Sequence, residues 1–130
     1  MEIEKIFKNL ILIDFGVLIL IVISSMYQPQ EITNMYEALN DGLLSNFENI
    51  SRFVSLGLFF LYLITLNLLY RFISCGKQLY LFLIITGLLF NYLNGSVIYT
   101  SFGGLLDQIG GIISGAILIL LYYSPIKNNF

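Results

Sequence analysis

Two long stretches of this chain contain no charged residue, and they constrain the fold more than any other feature. One runs from Phe53 to Tyr70 and the other from Gln78 to Leu106. A helix needs about 20 apolar residues to cross the roughly 30 Å hydrocarbon core of a bilayer. Unpaired backbone groups are costly in lipid, and no alternating β-barrel pattern is present, so helices are expected. The two stretches are therefore predicted to be transmembrane helices.

Apolar composition extends over most of the chain. Hydrophobic residues make up 58% of it and charged residues 11%, far from the averages of soluble proteins. The predicted spans cover about residues 6–26, 52–73, 78–98 and 105–123. The sequence predicts an all-α integral membrane protein, a four-transmembrane-helix bundle that forms a single membrane domain over residues 1–130 and has the lipid bilayer as its surroundings.

The segment of residues 27–51 is the only sizeable part outside the predicted spans. Its apolar residues recur at helical spacing, namely Ile32, Met35, Tyr36, Leu39, Leu43, Phe47 and Ile50. Acidic residues occupy its other faces, whereas helices that bind anionic lipid heads carry lysine and arginine there. We predict a short amphipathic helix on the outer surface between helices 1 and 2, broken into two pieces at Gly42. It either caps its own bundle or meets a partner.

The cationic residues indicate the orientation. With four spans, five of the six fall on one side of the membrane: Lys5, Lys8, Arg71, Lys77 and Lys127. Arg52 alone falls on the other side. Because short cytoplasmic loops carry an excess of lysine and arginine, both termini are predicted to be cytoplasmic, in the cell inner (plasma) membrane.

Composition also excludes several classes of function. A single cysteine, Cys75, and the lack of histidine argue against an internal disulfide and the usual zinc, copper or iron–sulfur sites, so no metal or cofactor is predicted. The cationic residues are dispersed, which gives no footprint for nucleic acid. No nucleophile–base pair or phosphate loop is visible, so we do not expect an enzyme.

Asp14 is the most unusual residue, because it lies inside the first span, roughly two turns from its cytoplasmic end. Intramembrane acids usually face a bundle interior, a cavity or a counter-charge. One interpretation is a carboxylate that couples transport to protons or cations. The other is a structural group near the interface, hydrated or bonded to Asn67 or Arg71. These three residues form the candidate coupling or polar network.

Asp107 and Arg52 are a candidate outer ion pair, because they open the fourth and second spans at a similar depth. A carboxylate at the start of a helix complements the positive end of the helix dipole. The pair is expected to act either as a cap and salt bridge or as a gate for substrate.

Small residues predict helix packing on the fourth span. Gly103, Asp107, Gly111 and Gly115 are four apart and share one face, and Ser114 lies in an adjacent row. Residues 111–115 form a literal GxxxG pattern, which is typical of close backbone approach between membrane helices. We expect a helix–helix contact here, within the bundle or across a dimer.

Other polar and aromatic residues are assigned to general roles. Thr65 and Asn91 are interpreted as interhelical hydrogen-bonding groups, or alternatively as the lining of a polar pathway. The many tyrosines and phenylalanines are assigned to interfacial belts and lipid-facing bulk, with Tyr27 and Tyr123 near span ends as examples.

Two classes of function follow. The first is a non-catalytic accessory or structural subunit of a membrane assembly, which binds itself or another membrane protein. The second is a small proton-coupled exporter, dimeric, centred on Asp14. A chain of this size is expected to need assembly in either case. The observation that separates the two is whether Asp14 faces a cavity or a packed contact.

Overall fold

The computed structural model is helical throughout the part of the chain that it describes. It describes the backbone of residues 2–27, 29–40, 45–93 and 100–130, and the side chains of 2–27, 29–35, 53–92, 100–126 and 128–130. The helices are α1 (Glu2–Met26), α2 (Gln30–Asn40), α3 (Ser45–Tyr70), α4 (Ser74–Leu93) and α5 (Ser101–Tyr123), followed by a 3₁₀ helix, Pro125–Asn129.

The predicted all-helical organisation is confirmed. Four helices are long and apolar enough to cross a membrane: α1, the part of α3 from Phe53, α4 and α5. Four such helices indicate a multi-pass membrane protein. The predicted amphipathic segment begins with α2, while its expected break at Gly42 lies outside the described residues.

All four long helices begin before the predicted spans, with α3 starting at Ser45 inside the predicted outer segment, and the earlier starts of α1 and α5 concern candidate site residues. α1 begins at Glu2, so Asp14 lies at its midpoint, twelve residues from either end and about 18 Å along the axis. α5 begins at Ser101 because Thr100 is its N-cap, and the Thr100 side-chain oxygen accepts a 2.9 Å hydrogen bond from the backbone of Gly103. Both helices therefore include residues that hydropathy alone assigned to the flanks.

A tight turn joins α3 to α4. The backbone N–H of Ile73 donates to the carbonyl of Leu68, and that of Phe72 donates to the carbonyl of Leu69, which is the Schellman pattern. Phe72 takes the left-handed conformation, with φ of 57°, that this motif usually gives to glycine. Gly76 follows in the first turn of α4 and lies so close to α3 that a Cβ there would be 2.9 Å from the Cβ of Leu68.

Aromatic contacts bring both chain ends and the α3–α4 turn to one end of the bundle. The Phe7 ring lies 5.7 Å from that of Phe72 and 6.0 Å from that of Phe130, and the Lys8 amine lies over the Phe72 ring. The Asn129 side chain donates to Glu4. We call this the terminal end, and the opposite one the far end. The termini and the turn share a side as expected, whereas the cytoplasmic assignment stays a prediction.

The apolar core fills mainly the terminal half of the bundle. α1 packs most extensively along α5 and α3 along α4, with further contact between α1 and α3. The core cluster consists of Phe7, Ile11, Val17, Leu66, Leu69, Tyr80, Ile113, Ile117, Leu121 and Ile126. Toward the far end, the same helices enclose a cavity instead.

Candidate functional site

A cavity of about 590 Å³ lies between α1, α3, α4 and α5. Its lining runs from the middle of the bundle to the far end. The lining residues are Asp14, Val17, Leu18, Ile21, Ser55, Leu58, Phe59, Tyr62, Leu83, Ile84, Gly87, Leu88, Asn91, Asp107, Gly110, Gly111, Ser114, Gly115 and Leu118. Ser55, Asn91 and Asp107 are exposed, so the cavity reaches the molecular surface near the far end.

Asp14 lies at the floor of this cavity. Its side chain is 4% exposed, and the Tyr62 hydroxyl on α3 donates a 2.5 Å hydrogen bond to its Oδ2 atom. One hydrogen bond uses only part of the acceptor capacity of a carboxylate, which has about four lone-pair sites. Asp14 is therefore held between two helices and keeps acceptor capacity for a group in the cavity.

Tyr80 on α4 extends the polar contact. Its hydroxyl lies 3.4 Å from that of Tyr62, its ring packs 5.8 Å from the Tyr62 ring, and its side chain is fully buried. Ser114 on α5 lines the same cavity. These four residues, Asp14, Tyr62, Tyr80 and Ser114, form what we call the floor cluster, to which each of the four long helices contributes one residue.

The two tyrosines were missed by the sequence analysis, which assigned tyrosines to interfacial belts. Tyr27 and Tyr123 fit that assignment, because both are more than 80% exposed near helix ends. Tyr62 and Tyr80 lie eight and six residues inside the ends of α3 and α4. A tyrosine away from the ends of a span needs a hydrogen-bond partner for its hydroxyl. The mid-span positions of Tyr62 and Tyr80 were therefore the sequence feature that could have identified them as site residues.

Asn67 and Arg71 are not the partners of Asp14. Both are exposed, and the described side chains provide Tyr62 in that position instead. Asn67 follows Tyr62 by five residues, which rotates it about 140° around α3 and away from the cavity. Arg71 lies beyond the last residue of α3, at the terminal end, whereas Asp14 is at mid-depth. The predicted polar network is corrected to the floor cluster.

Asp107 lines the cavity and does not cap α5. It lies in the second turn of that helix, where the dipole effect of the first turn has fallen off, and Thr100 is the cap. The Arg52 side chain lies outside the described residues, so the predicted ion pair stays a prediction. Asp107 and Asn91 are polar residues near the mouth of the cavity.

The glycines of α5 face open space rather than a helix of the same chain. A Cβ built on Gly111 or Gly115 meets no other atom within 4 Å, although both residues line the cavity. Gly110 is the one that approaches α1, where its Cβ would lie 3.7 Å from Val17. The predicted contact within the bundle is thus corrected for Gly111 and Gly115, and a contact across a dimer stays a prediction. Gly103 belongs to the capped first turn.

The described part of the cavity lining is acidic. It contains two carboxylates, those of Asp14 and Asp107, and no lysine or arginine. Among the residues that the structure describes, no three potential His, Cys, Asp or Glu ligands lie close enough to hold a metal ion. The arrangement suits an organic ligand that donates hydrogen bonds to the Asp14 carboxylate and packs on an apolar wall.

Comparison of the chain with protein-family models, curated proteins and solved structures gives no match. The function is therefore argued from the site alone.

Proposed function

We propose that this chain is a multi-pass membrane protein that binds a small organic ligand in its cavity and exports it in exchange for protons. The observation that carries the proposal is the position of Asp14, a carboxyl group at the middle of a candidate membrane helix and at the floor of a cavity of about 590 Å³. Ligand pockets typically measure about 300–1,000 Å³ and combine apolar walls with a few polar groups.

The cost of an acid at this depth supports a functional role. Aspartate at the centre of a membrane helix costs about 3 kcal/mol on insertion scales, and such residues generally mark substrate or ion pathways. Asp14 is turned away from the lipid face and toward the cavity. A structural acceptor for Tyr62 alone would not need an ionisable group, because a neutral amide oxygen could accept the same hydrogen bond.

The distribution of the core supports a carrier rather than a continuous pore. The apolar cluster around Leu69, Ile117 and Leu121 closes the terminal half, while the cavity reaches the far end. If the termini are cytoplasmic, as the cationic residues predict, the cavity faces the outside. Transport then needs a second conformation in which the terminal half opens.

Competition at Asp14 provides the coupling. A ligand held by the carboxylate leaves when a proton from the outside takes its place, and that proton is released inside when the next ligand binds. Ligand and proton thus move in opposite directions through one site. The cavity lies within a single chain, so binding does not depend on a second copy, and dimer formation stays a separate prediction.

The test uses inverted membrane vesicles with an acidic interior, followed by a fluorescent pH probe. The added compounds share a benzyl or phenyl body and differ in charge: benzyltrimethylammonium, benzenesulfonate and benzyl alcohol. We expect at least one to release protons from vesicles with the wild-type chain and not from those with Asp14→Asn at equal expression. Equal release by both chains, or no release with any compound, would contradict the proposal.

A non-catalytic accessory or structural subunit is the second candidate. It is favoured by α2, where Met35 is 59% exposed on an amphipathic helix beside acidic residues. A partner protein would cover this side chain. Under this candidate Met35→Glu should abolish a specific photo-crosslink from α2 to another membrane protein and Asp14→Asn should not. The exporter proposal expects Asp14→Asn, and not Met35→Glu, to affect proton release.

A further inference from the structure

The cavity carries a carboxyl group at each end. Asp14 lies at its floor and Asp107 near its mouth, and both line the same space. The two residues belong to different helices, α1 and α5, which pack along each other. Their relation is therefore fixed by the most extensive helix pair of the bundle.

The difference in depth between the two carboxylates follows from positions on α5. Ser114 lines the same cavity as Asp14, and the pairing of α1 with α5 places it at about the depth of Asp14. Asp107 precedes Ser114 by seven residues, which is about two turns on the same face and about 10 Å toward the far end. The contact of Gly110 with Val17 supports this register, because it sets the intervening turn of α5 beside α1 just above Asp14.

The cavity wall between Asp14 and Asp107 is apolar. Leu18, Ile84 and Leu88 line it from α1 and α4. On α5 the wall is Gly111, where an added Cβ would meet nothing within 4 Å. A slender apolar chain can therefore lie along this wall between the carboxylates.

Neither end of the described cavity carries a positive side chain. A ligand with one cationic group satisfies one carboxylate and leaves the other facing its apolar body. A ligand with a cationic group at each end satisfies both, and charge-assisted hydrogen bonds from ammonium groups to carboxylates are the strong kind.

We propose that the cavity binds a linear α,ω-diamine, with one ammonium group at Asp14, the other at Asp107 and the alkyl chain along the apolar wall at Gly111. As the cargo of export this assignment rests on the proposed function, whereas binding itself is measured without transport. Tyr62 holds the Asp14 carboxylate in position for the inner ammonium group.

The experiment measures binding to the full chain in lipid nanodiscs by isothermal titration calorimetry, with empty nanodiscs subtracted. The probes are linear diamines from diaminobutane to diaminododecane and the monoamines of the same chain lengths. Affinity of the diamines should rise to a maximum where the ammonium groups are about 10 Å apart and then fall. At that length the diamine should bind up to about fivefold more tightly than its monoamine, because Asp107 is exposed and such ion pairs contribute up to about 1 kcal/mol.

Variants assign the two ends. Asp107→Asn should remove the advantage of the diamine over the monoamine, and Asp14→Asn should weaken both. Gly111→Leu keeps both acids but puts a side chain into the space between them, so it should abolish binding of diamines and monoamines alike. Gly57→Leu is the matched control outside the cavity. Equal affinities for diamines and monoamines, or no effect of Asp107→Asn, would overturn the proposal. Either result would also follow if Arg52 already neutralised Asp107.

The two proposals fail separately. Length-dependent diamine binding without proton release in vesicles would support the diamine site and contradict proton-coupled export. Proton release with benzyltrimethylammonium but no preference for diamines would support proton-coupled export and contradict the assignment of a diamine as the ligand.

Discussion

The Tyr62 hydroxyl lies 2.5 Å from the Oδ2 atom of Asp14 and joins the apolar part of α3 to the middle of α1. The hydrogen bond crosses the floor of the cavity, with Tyr80 behind it. This hydrogen bond fixes the orientation of the Asp14 carboxylate within a candidate membrane helix.

Removal of the Tyr62 hydroxyl should lower the stability of the protein. Tyr62→Phe keeps the ring and leaves the Asp14 carboxylate with one donor fewer, which should cost about 1 kcal/mol, since water in the cavity can supply part of the lost bond. Thermal unfolding in detergent measures the change, and Tyr92→Phe, at a side chain that is 85% exposed, is the control. Equal losses in the two variants would contradict the role of the hydrogen bond.

Gly76 should not tolerate a methyl group. A Cβ there would lie 2.9 Å from the Cβ of Leu68 and 3.1 Å from the backbone nitrogen of Leu69, so α3 and α4 would have to move apart. We expect Gly76→Ala to destabilise the protein by about 1–3 kcal/mol. Gly57→Ala, with nothing within 4 Å of the new Cβ, should be close to neutral. The midpoint of thermal unfolding compares them.

Two adjacent glycines of α5 should respond in opposite ways to leucine. At Gly110 the side chain would meet Val17 and Ile21 of α1, so Gly110→Leu should separate α1 from α5 and reduce stability. At Gly111 it would enter the cavity, so Gly111→Leu should fold normally and lose ligand binding. Gel filtration and thermal unfolding read out the first effect. A Gly111→Leu variant that fails to fold would show instead that this face packs against another helix.

The long helices were predictable from sequence because hydropathy and length decide them. The uncharged stretches fall within α3 and α4 and in the approach to α5, as the cost of charge in lipid requires. Candidate residues such as Asp14 could also be chosen, because a mid-span acid is rare. What could not be predicted was which face of each helix meets which neighbour.

That pairing depends on rotation and register, which a single apolar sequence barely encodes. Membrane helices are apolar on all sides, so the pattern does not mark the face toward the bundle, and for this reason Asn67 could be proposed as a partner of Asp14 although it lies on another face of α3. The glycine row of α5 illustrates the same limit. Small residues permit close packing, but they equally permit a cavity, and only the position of α1 beside Gly110 separates the two.

The single thiol can establish the orientation. Cys75 is exposed in the first turn of α4, beside the α3–α4 turn and therefore at the terminal end. A membrane-impermeant maleimide should label it in inverted vesicles and not in intact spheroplasts, if that end is cytoplasmic. Permeabilised spheroplasts are the positive control. Labelling from the outside alone would reverse the orientation and place the mouth of the cavity on the cytoplasmic side.

The central claim is that the floor cluster lies in a cavity reached by water from the far end. The most direct measurement is thiol reactivity of Ser114→Cys in a Cys75→Ser background, because the change is small and Ser114 lines the cavity at the depth of Asp14. A charged, impermeant thiosulfonate should modify it from the far side only, and Gly111→Leu should slow the reaction. Ile112→Cys, on a face that is 73% exposed and would contact lipid, should stay unmodified. An unreactive Cys at position 114, with a folded protein, would mean that Asp14 lies in a sealed contact and would contradict the account.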